Sequence, residues 1–244
     1  MSVLATDDTF QFKKFVITQR VAAQKVGTDG VLLGAWVDVT DVRSALDIGT
    51  GTGLIALMLA QRLPQATITA VEIESAAAAE ATANMQATPW AERLSVVEQS
   101  VQDFARASDV TFDLIVCNPP FFTGGALSPT RGRDTARHTI KLPNGDLLQA
   151  ARRLLTPRGS LCVILPKLEG LRFKDMAGGH YGLHCTRMTE VYGKADKSIE
   201  RLLLEFSKQS DAPMHTDRLD IRDKSGDYSN AYRDLTSDFY VTLK

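Results

Sequence analysis

The stretch SALDIGTGTG, Ser44 to Gly53, decides how this chain folds. Its first five residues, Ser44 to Ile48, are small or apolar apart from the embedded Asp47, and they read as a buried strand. The strand runs directly into Gly49-Thr50-Gly51-Thr52-Gly53, and a helical pattern begins at Leu54. Glycines at such a turn let the backbone adopt angles that a Cβ forbids and pass close beneath a ligand. A dinucleotide fingerprint has the spacing G-x-G-x-x-G. Here Gly53 falls one residue early and Leu54 stands where that fingerprint requires glycine, so a pyrophosphate ligand is disfavoured.

Outward from this turn, short apolar runs alternate with helical patterns. Strands are expected at Ser44 to Ile48, Thr67 to Val71, Leu94 to Glu98, Phe112 to Cys117 and Ser160 to Leu165. Helices are expected at Leu54 to Arg62, Ser75 to Gln86 and Asp146 to Leu155, the second because its alanines lose no side-chain entropy in a helix. Such alternation implies an α/β fold with a mostly parallel sheet covered on both faces. After Leu165 the pattern changes. His184 to Tyr192 and Ser198 to Phe206 read as two strands joined by the polar turn GKADK, so the sheet is expected to end in an antiparallel hairpin. Phe10 to Ile17 reads as a small extended element, and Thr28 or Asp29 as the cap of a helix running through Trp36. The tail from His215 offers one strand and one helix anchored by Tyr228, Tyr232, Phe239 and Tyr240. One domain is expected, with residues 1–42 as an N-terminal lid or helix extension, 43–210 as the core and 211–244 as a strand-helix tail.

Composition narrows the function classes. The chain has 244 residues, 44% hydrophobic and 23% charged, and no apolar run approaches the roughly 18 residues of a membrane span. The opening MSVLATDDTF lacks a basic region followed by an apolar stretch, so a cytoplasmic protein is expected. Cys117, Cys162 and Cys185 form no CxxC pair, and the first two lie in apolar runs; they read as thiols of a reducing compartment. His180, His184 and Cys185 fall in GGHYGLHC, too rich in glycine for a helix that would align an i, i+4 pair, and no metal site is expected. The net charge is −1, yet Phe121 to Arg201 holds 14 Lys or Arg against 7 Asp or Glu. That basic surplus is either a solvated face or an electrostatic footprint for a polyanion.

The surplus begins immediately after a second motif. Asp113 to Cys117 reads as a buried strand that delivers Asn118-Pro119-Pro120-Phe121 to its carboxyl end, where open α/β sheets bind their ligands. The Asn118 side-chain oxygen and the Pro119 carbonyl are two acceptors able to take the two N–H bonds of an exocyclic amine. Proline supplies no N–H, and its fixed φ keeps the acceptors aimed. Phe121 offers a face on which a base can stack. Elsewhere Asn-Pro-Pro is an ordinary turn and Phe121 an ordinary core residue.

Asp47 suits the cationic amino-acid end of S-adenosylmethionine, or it caps a helix or turn. Val71-Glu72 ends the second strand about twenty residues after the glycines, where an acid can accept both ribose hydroxyls. LDIGTGTG with AVEIE resembles the class I S-adenosylmethionine-dependent methyltransferases, from about Arg43 to Leu165. That resemblance implies a Rossmann-like sheet and cofactor contacts from Asp47, Gly49, Thr50, Gly51, Gly53 and Glu72. It also implies an adenine contact after the third strand, where this chain has Ser100 and Val101, with Asp103 the alternative. NPPF is similar to the group that methylates adenine N6, cytosine N4, guanine N2 or the amide of glutamine.

KVGTDGVLLGAW (Lys25 to Trp36), NPPFF (Asn118 to Phe122) and ARHT (Ala136 to Thr139) together resemble the bacterial tRNA(Val) adenine N6-methyltransferases over nearly the whole chain. The resemblance implies tRNA as partner, adenine 37 as target, Lys25 and Thr28 closing over the cofactor, and Asn118 between cofactor and substrate. Phe122, Arg131, Arg133, Arg137 and His138 are then expected at the RNA, on a loop that closes over a flipped base. Three rivals remain. A glutamine methyltransferase of a release factor usually carries an N-terminal helical domain and a tyrosine after NPP, a guanine N2 methyltransferase of ribosomal RNA is normally a domain longer, and a binding module without catalysis has no use for NPPF. Nothing in the sequence speaks to oligomeric state.

Overall fold

The computed structural model describes residues 8–21, 25–120, 142–209 and 213–242. An eight-stranded sheet forms the centre. Its first three parallel strands are β3 (Ser44–Ile48), β4 (Thr67–Glu72) and β5 (Leu94–Glu98), preceded by a two-stranded hairpin of β1 (Thr9–Gln11) and β2 (Val16–Thr18). Then β6 (Phe112–Cys117) pairs with the other side of β3, and β7 (Leu155–Pro166) pairs with β6, both parallel. The chain therefore reverses direction between β3 and β6, and such a switch point opens a crevice at the strands' carboxyl ends. Ile48 lies opposite Cys117, so the glycine turn and Asn118 leave the sheet side by side.

Beyond β7 run β9 (Ile199–Ser207), antiparallel to β7, and β8 (His184–Tyr192), antiparallel to β9, as the hairpin reading required. The sheet does not end there. β10 (His215–Asp220) adds at the outer edge parallel to β8, so the outermost pair is parallel. A strand arriving from a distant segment is free to choose either direction, which a hairpin is not.

Both faces are covered. On one lie α1 (Thr28–Trp36), α2 (Leu54–Arg62) and α7 (Asn230–Thr236), with α3 (Ser75–Gln86) beside β4 and β5; on the other lie α4 (Val101–Ala107), α5 (Asn144–Leu154) and α6 (Lys167–Tyr181). α1 is buried from Gly30 to Trp36, and it meets α2 closely: a Cβ on Gly34 would sit 2.8 Å from the Met58 sulfur. Trp36 donates to the Thr189 hydroxyl at 2.9 Å and lies beneath the Arg187 guanidinium, which pairs with Glu205. These contacts fix α1 against the β8–β9 hairpin.

Three local expectations change. The cap of α1 is Gly27, not Thr28 or Asp29; both lie within the helix, and Asp29 is turned to an ion pair with Arg201. The segment GGHYGLHC is divided: Gly178 to Tyr181 end α6, which stops at Gly182 with φ +57°, while His184 and Cys185 begin β8, so no helix aligns His180 with His184. Packing overrides propensity there, because Phe173 and Ala177 are wholly buried and Gly170 fits against Leu202. Thirdly, Val101–Ala107 forms a short helix absent from the sequence reading; Ser100 caps it by accepting from the Asp103 amide at 3.1 Å. Among the described residues no helix is long and apolar enough to cross a membrane.

Candidate active site

The glycine turn follows from its backbone angles. Gly49 and Gly51 have φ of +69° and +57°, which cost an L-residue with a Cβ roughly 1–2 kcal/mol each. A side chain there would meet no atom within 4 Å, so conformation rather than crowding requires glycine. The Gly49 and Thr50 amides donate to the Val71 carbonyl at 2.8 and 3.3 Å, which folds the turn over the end of β4.

Asp47 lies beneath this turn rather than on the surface of the crevice. It is wholly buried, and its Oδ2 accepts from the Thr50 hydroxyl at 2.6 Å and from the Ala56 amide at 3.1 Å. It thus ties the turn to the start of α2, as a capping acid does. Oδ1 is buried with no hydrogen-bond partner among the described residues. Burial pushes the Asp47 carboxyl up to about 7, aided by the neighbouring charge of Glu72 and opposed by Thr50 and Ala56. Glu72 closes the far side: Oε2 accepts from the Gly51 amide at 2.9 Å, and Oε1 from the Ile73 and Glu74 amides at 2.9 and 3.0 Å.

Above the turn opens a cavity of about 510 Å³. Lys25, Thr28, Gly49, Thr50, Gly51 and Asn118, all singled out from the sequence, line it together. Asp47, Gly53, Glu72, Ser100 and Val101 do not line it. Gly53 begins α2, Val101 is buried, and the Ser100 hydroxyl donates to the Asp103 carboxylate while capping α4. Asp103 also binds Arg106, and these two partners hold its carboxyl below the usual range.

Asn118 leaves β6 at the crevice. Its Oδ1 is buried and has no hydrogen-bond partner among the described residues, which leaves a desolvated acceptor in the cavity wall. Pro119 is buried and Pro120 exposed. Cys117, one residue before, is wholly buried; burial and the charges of Asp47 and Glu72 raise its thiol well above the ordinary range, as for an inert core cysteine. Phe121, Phe122, Arg131, Arg133, Arg137 and His138 lie outside the described residues.

The sequence did not announce the opposite wall as a site. Val191, Glu200, Arg201 and Ile221 come from the hairpin and the tail, and Asp29 from α1. Asp29 lies within KVGTDGVLLGAW, but Arg201 belongs to no local motif, and no spacing rule connects the two across 172 residues.

Comparison with known proteins agrees with this geometry. The methyltransferase small domain family model matches residues 22–176. A tRNA1(Val) (adenine(37)-N6)-methyltransferase of Yersinia pseudotuberculosis serotype O:3 (strain YPIII) is 43% identical over 233 residues, 95% of this chain and 92% of that protein. That of Yersinia pestis (strain Pestoides F) is also 43% identical, covering 95% and 93%. Among solved structures, a predicted O-methyltransferase, protein Atu636 from Agrobacterium tumefaciens, superposes with a TM-score of 0.68 at 18% identity over 86% of this chain and 96% of that one. The O-methyltransferase TomG from Streptomyces achromogenes, solved in complex with SAM, gives 0.52 at 19% identity over 74% and 79%. At such identities these structures speak for the fold.

Proposed function

The chain belongs to the methyltransferase small domain family and groups with the tRNA1(Val) (adenine(37)-N6)-methyltransferases, and on that premise we propose that it methylates N6 of adenine 37 in tRNA1(Val), with S-adenosylmethionine as donor. The observation that carries the chemistry is the buried, unpartnered Asn118 Oδ1 in the cavity wall beside the glycine turn. A desolvated acceptor of this kind is costly unless a ligand donor meets it.

The residues present fit the donor. Gly49, Thr50 and Gly51 would support it from below and Lys25 and Thr28 from above, while Glu72 would meet the ribose and Ser100 and Val101 the adenine at the margin beyond those lining residues. Asp47 acts chiefly by holding the turn through Thr50 and Ala56, and a cationic group nearby favours its ionised form. When bound, S-adenosylmethionine supplies an electrophilic methyl group on a sulfonium.

The acceptor nitrogen requires preparation, because its lone pair is delocalised into the purine ring. Asn118 Oδ1 accepts one N–H and the Pro119 carbonyl the other, drawing the nitrogen toward a tetrahedral form. No strong base is needed beforehand, since the amino proton becomes acidic only as the new N–C bond forms. Phe121 stacks on the base, a contact of roughly 1–3 kcal/mol. Phe122, Arg131, Arg133, Arg137 and His138 engage the RNA around it.

The test is transfer from radiolabelled S-adenosylmethionine to total tRNA, ribosomal RNA and release factor, followed by nucleoside analysis. Label is expected in tRNA as N6-methyladenosine. Label in release factor or ribosomal RNA instead would replace this reading with one of its rivals.

A further inference from the structure

A second cavity, also of about 510 Å³, opens beside the first and shares Gly27, Thr28 and Ile221 with it. Neither the glycine turn nor Asn118 takes part in it. Its walls are aromatic: Phe10 from the N-terminal hairpin, and Tyr228, Tyr232 and Tyr240 from the tail, with Arg222 at their side.

These groups are organised. Tyr228 stacks on Tyr232 with centroids 5.0 Å apart and planes at 18°, and the Arg222 guanidinium sits over the Tyr228 ring, 4.2 Å from its centroid. Arg222 is further held by donating to the Gly226 carbonyl at 2.7 Å, and no carboxylate lies within ion-pairing distance of it among the described residues. Tyr232 donates to the Tyr240 hydroxyl at 3.5 Å, and Phe10 meets Tyr240 edge to face at 6.2 Å. The Tyr232 ring is buried, whereas Phe10, Arg222, Tyr228 and Tyr240 are half-buried and retain surface for a ligand.

A planar, partly polar group suits such a wall. Single-stranded RNA is read by splaying its bases onto aromatic rings and arginine planes. A base taken out of its stack also leaves neighbours that need new partners, and enzymes that act on flipped bases take part of their selectivity from those neighbours. Gly27, Thr28 and Ile221 line both cavities, so a strand whose adenine occupies the first comes within reach of the second.

We infer that this cavity binds the base of a nucleotide flanking the target adenine, with Arg222 as its stacking partner and the Tyr228–Tyr232 pair holding Arg222 in place. The inference rests on the reading of the first cavity as a tRNA adenine methyltransferase site. It adds a subsite that selects sequence context, built wholly outside the βα core.

The experiment is a mutant cycle on synthetic anticodon stem-loops of tRNA(Val), each with one abasic nucleotide at a position flanking the target. The proteins are the parent, Arg222→Ala, Arg222→Lys and Tyr228→Phe. With the parent, one abasic position should raise KM roughly tenfold with kcat little changed. Arg222→Ala should raise KM for the intact stem-loop by a similar factor and show no further loss at that position. Tyr228→Phe, which keeps the ring, should match the parent, and S-adenosylmethionine affinity should be unaltered in every variant, with the melting temperature lowered only slightly in the Arg222 variants by loss of the bond to Gly226. Arg222→Lys should behave as Arg222→Ala, because it keeps the charge and loses the plane. Losses that multiply at every flanking position, or an Arg222→Lys variant equal to the parent, overturn the subsite while methylation of the intact stem-loop upholds the enzyme. An intact stem-loop that receives no methyl group from the parent overturns both.

Discussion

Arg201 and Asp29 meet at 2.8 Å in the wall of the first cavity, although 172 residues separate them. The pair fastens the start of α1 to the start of β9, and with it the position of Lys25 and Thr28 over the glycine turn. Less than a third of either side chain is exposed, so the contact is shielded more than a surface pair.

Asp29→Ala should therefore lower stability by roughly 1 kcal/mol and weaken S-adenosylmethionine binding several-fold. Asp29→Ala with Arg201→Ala should cost less than the two single changes added together. Calorimetric binding and chemical denaturation check both, and strictly additive losses would show that the two side chains do not act as a pair.

Asn118→Ala should abolish methyl transfer while S-adenosylmethionine affinity stays within a few-fold of the parent. The change removes an acceptor meant for the substrate amine and leaves the turn that supports the donor. Single-turnover assays with saturating tRNA read it, and turnover near the parental rate would end the role assigned to Asn118.

Asp47 makes stability depend on pH. Its carboxyl is raised to about 7 by burial, from an ordinary value of 3.8, so between these limits the folded chain holds a proton that the unfolded chain has released. The stabilisation is complete below the lower limit and is lost as pH rises through the upper one. Asp47→Asn keeps the acceptor for Thr50 and Ala56 without the titration. Relative to this variant the parent should lose up to about 1.4 kcal/mol per pH unit across that window. Parallel curves from denaturant melts at pH 5 to 8 would place the titration elsewhere.

The arginines after NPPF should reveal themselves through salt. Replacing Arg131 and Arg133 with Ala should weaken tRNA binding and reduce the slope of log affinity against log salt by about 0.7 to 0.9 per lost phosphate contact. S-adenosylmethionine affinity should not change. A parental slope would direct attention to Arg172 and Lys174, or to Lys194 and Lys197.

What could be read beforehand was whatever is local. Alternating apolar runs located β3 to β6 within a residue or so, and the glycine spacing with NPPF placed Gly49 to Gly51 and Asn118 around one cavity. α6 was missed because its stability comes from Phe173, Ala177 and Gly170 against the sheet rather than from its own glycine-rich end. Asp47 was expected at the donor and lies beneath the turn, because the α2 amides need an acceptor as much as any ligand does. The second cavity depends on Phe10 meeting Tyr240, and no window of neighbouring residues contains that contact.

The meeting of head and tail has a dynamic consequence. Phe12 bridges to Tyr240 and the Lys13 amide donates to the Phe239 carbonyl at 2.8 Å, so the N-terminal hairpin and the C-terminal segment guard one another's backbone groups. They should behave as one foldon, with amides that exchange with solvent at a common rate. Segments far apart in the sequence must then meet before this wall is complete, so contacts of this kind are slow to form.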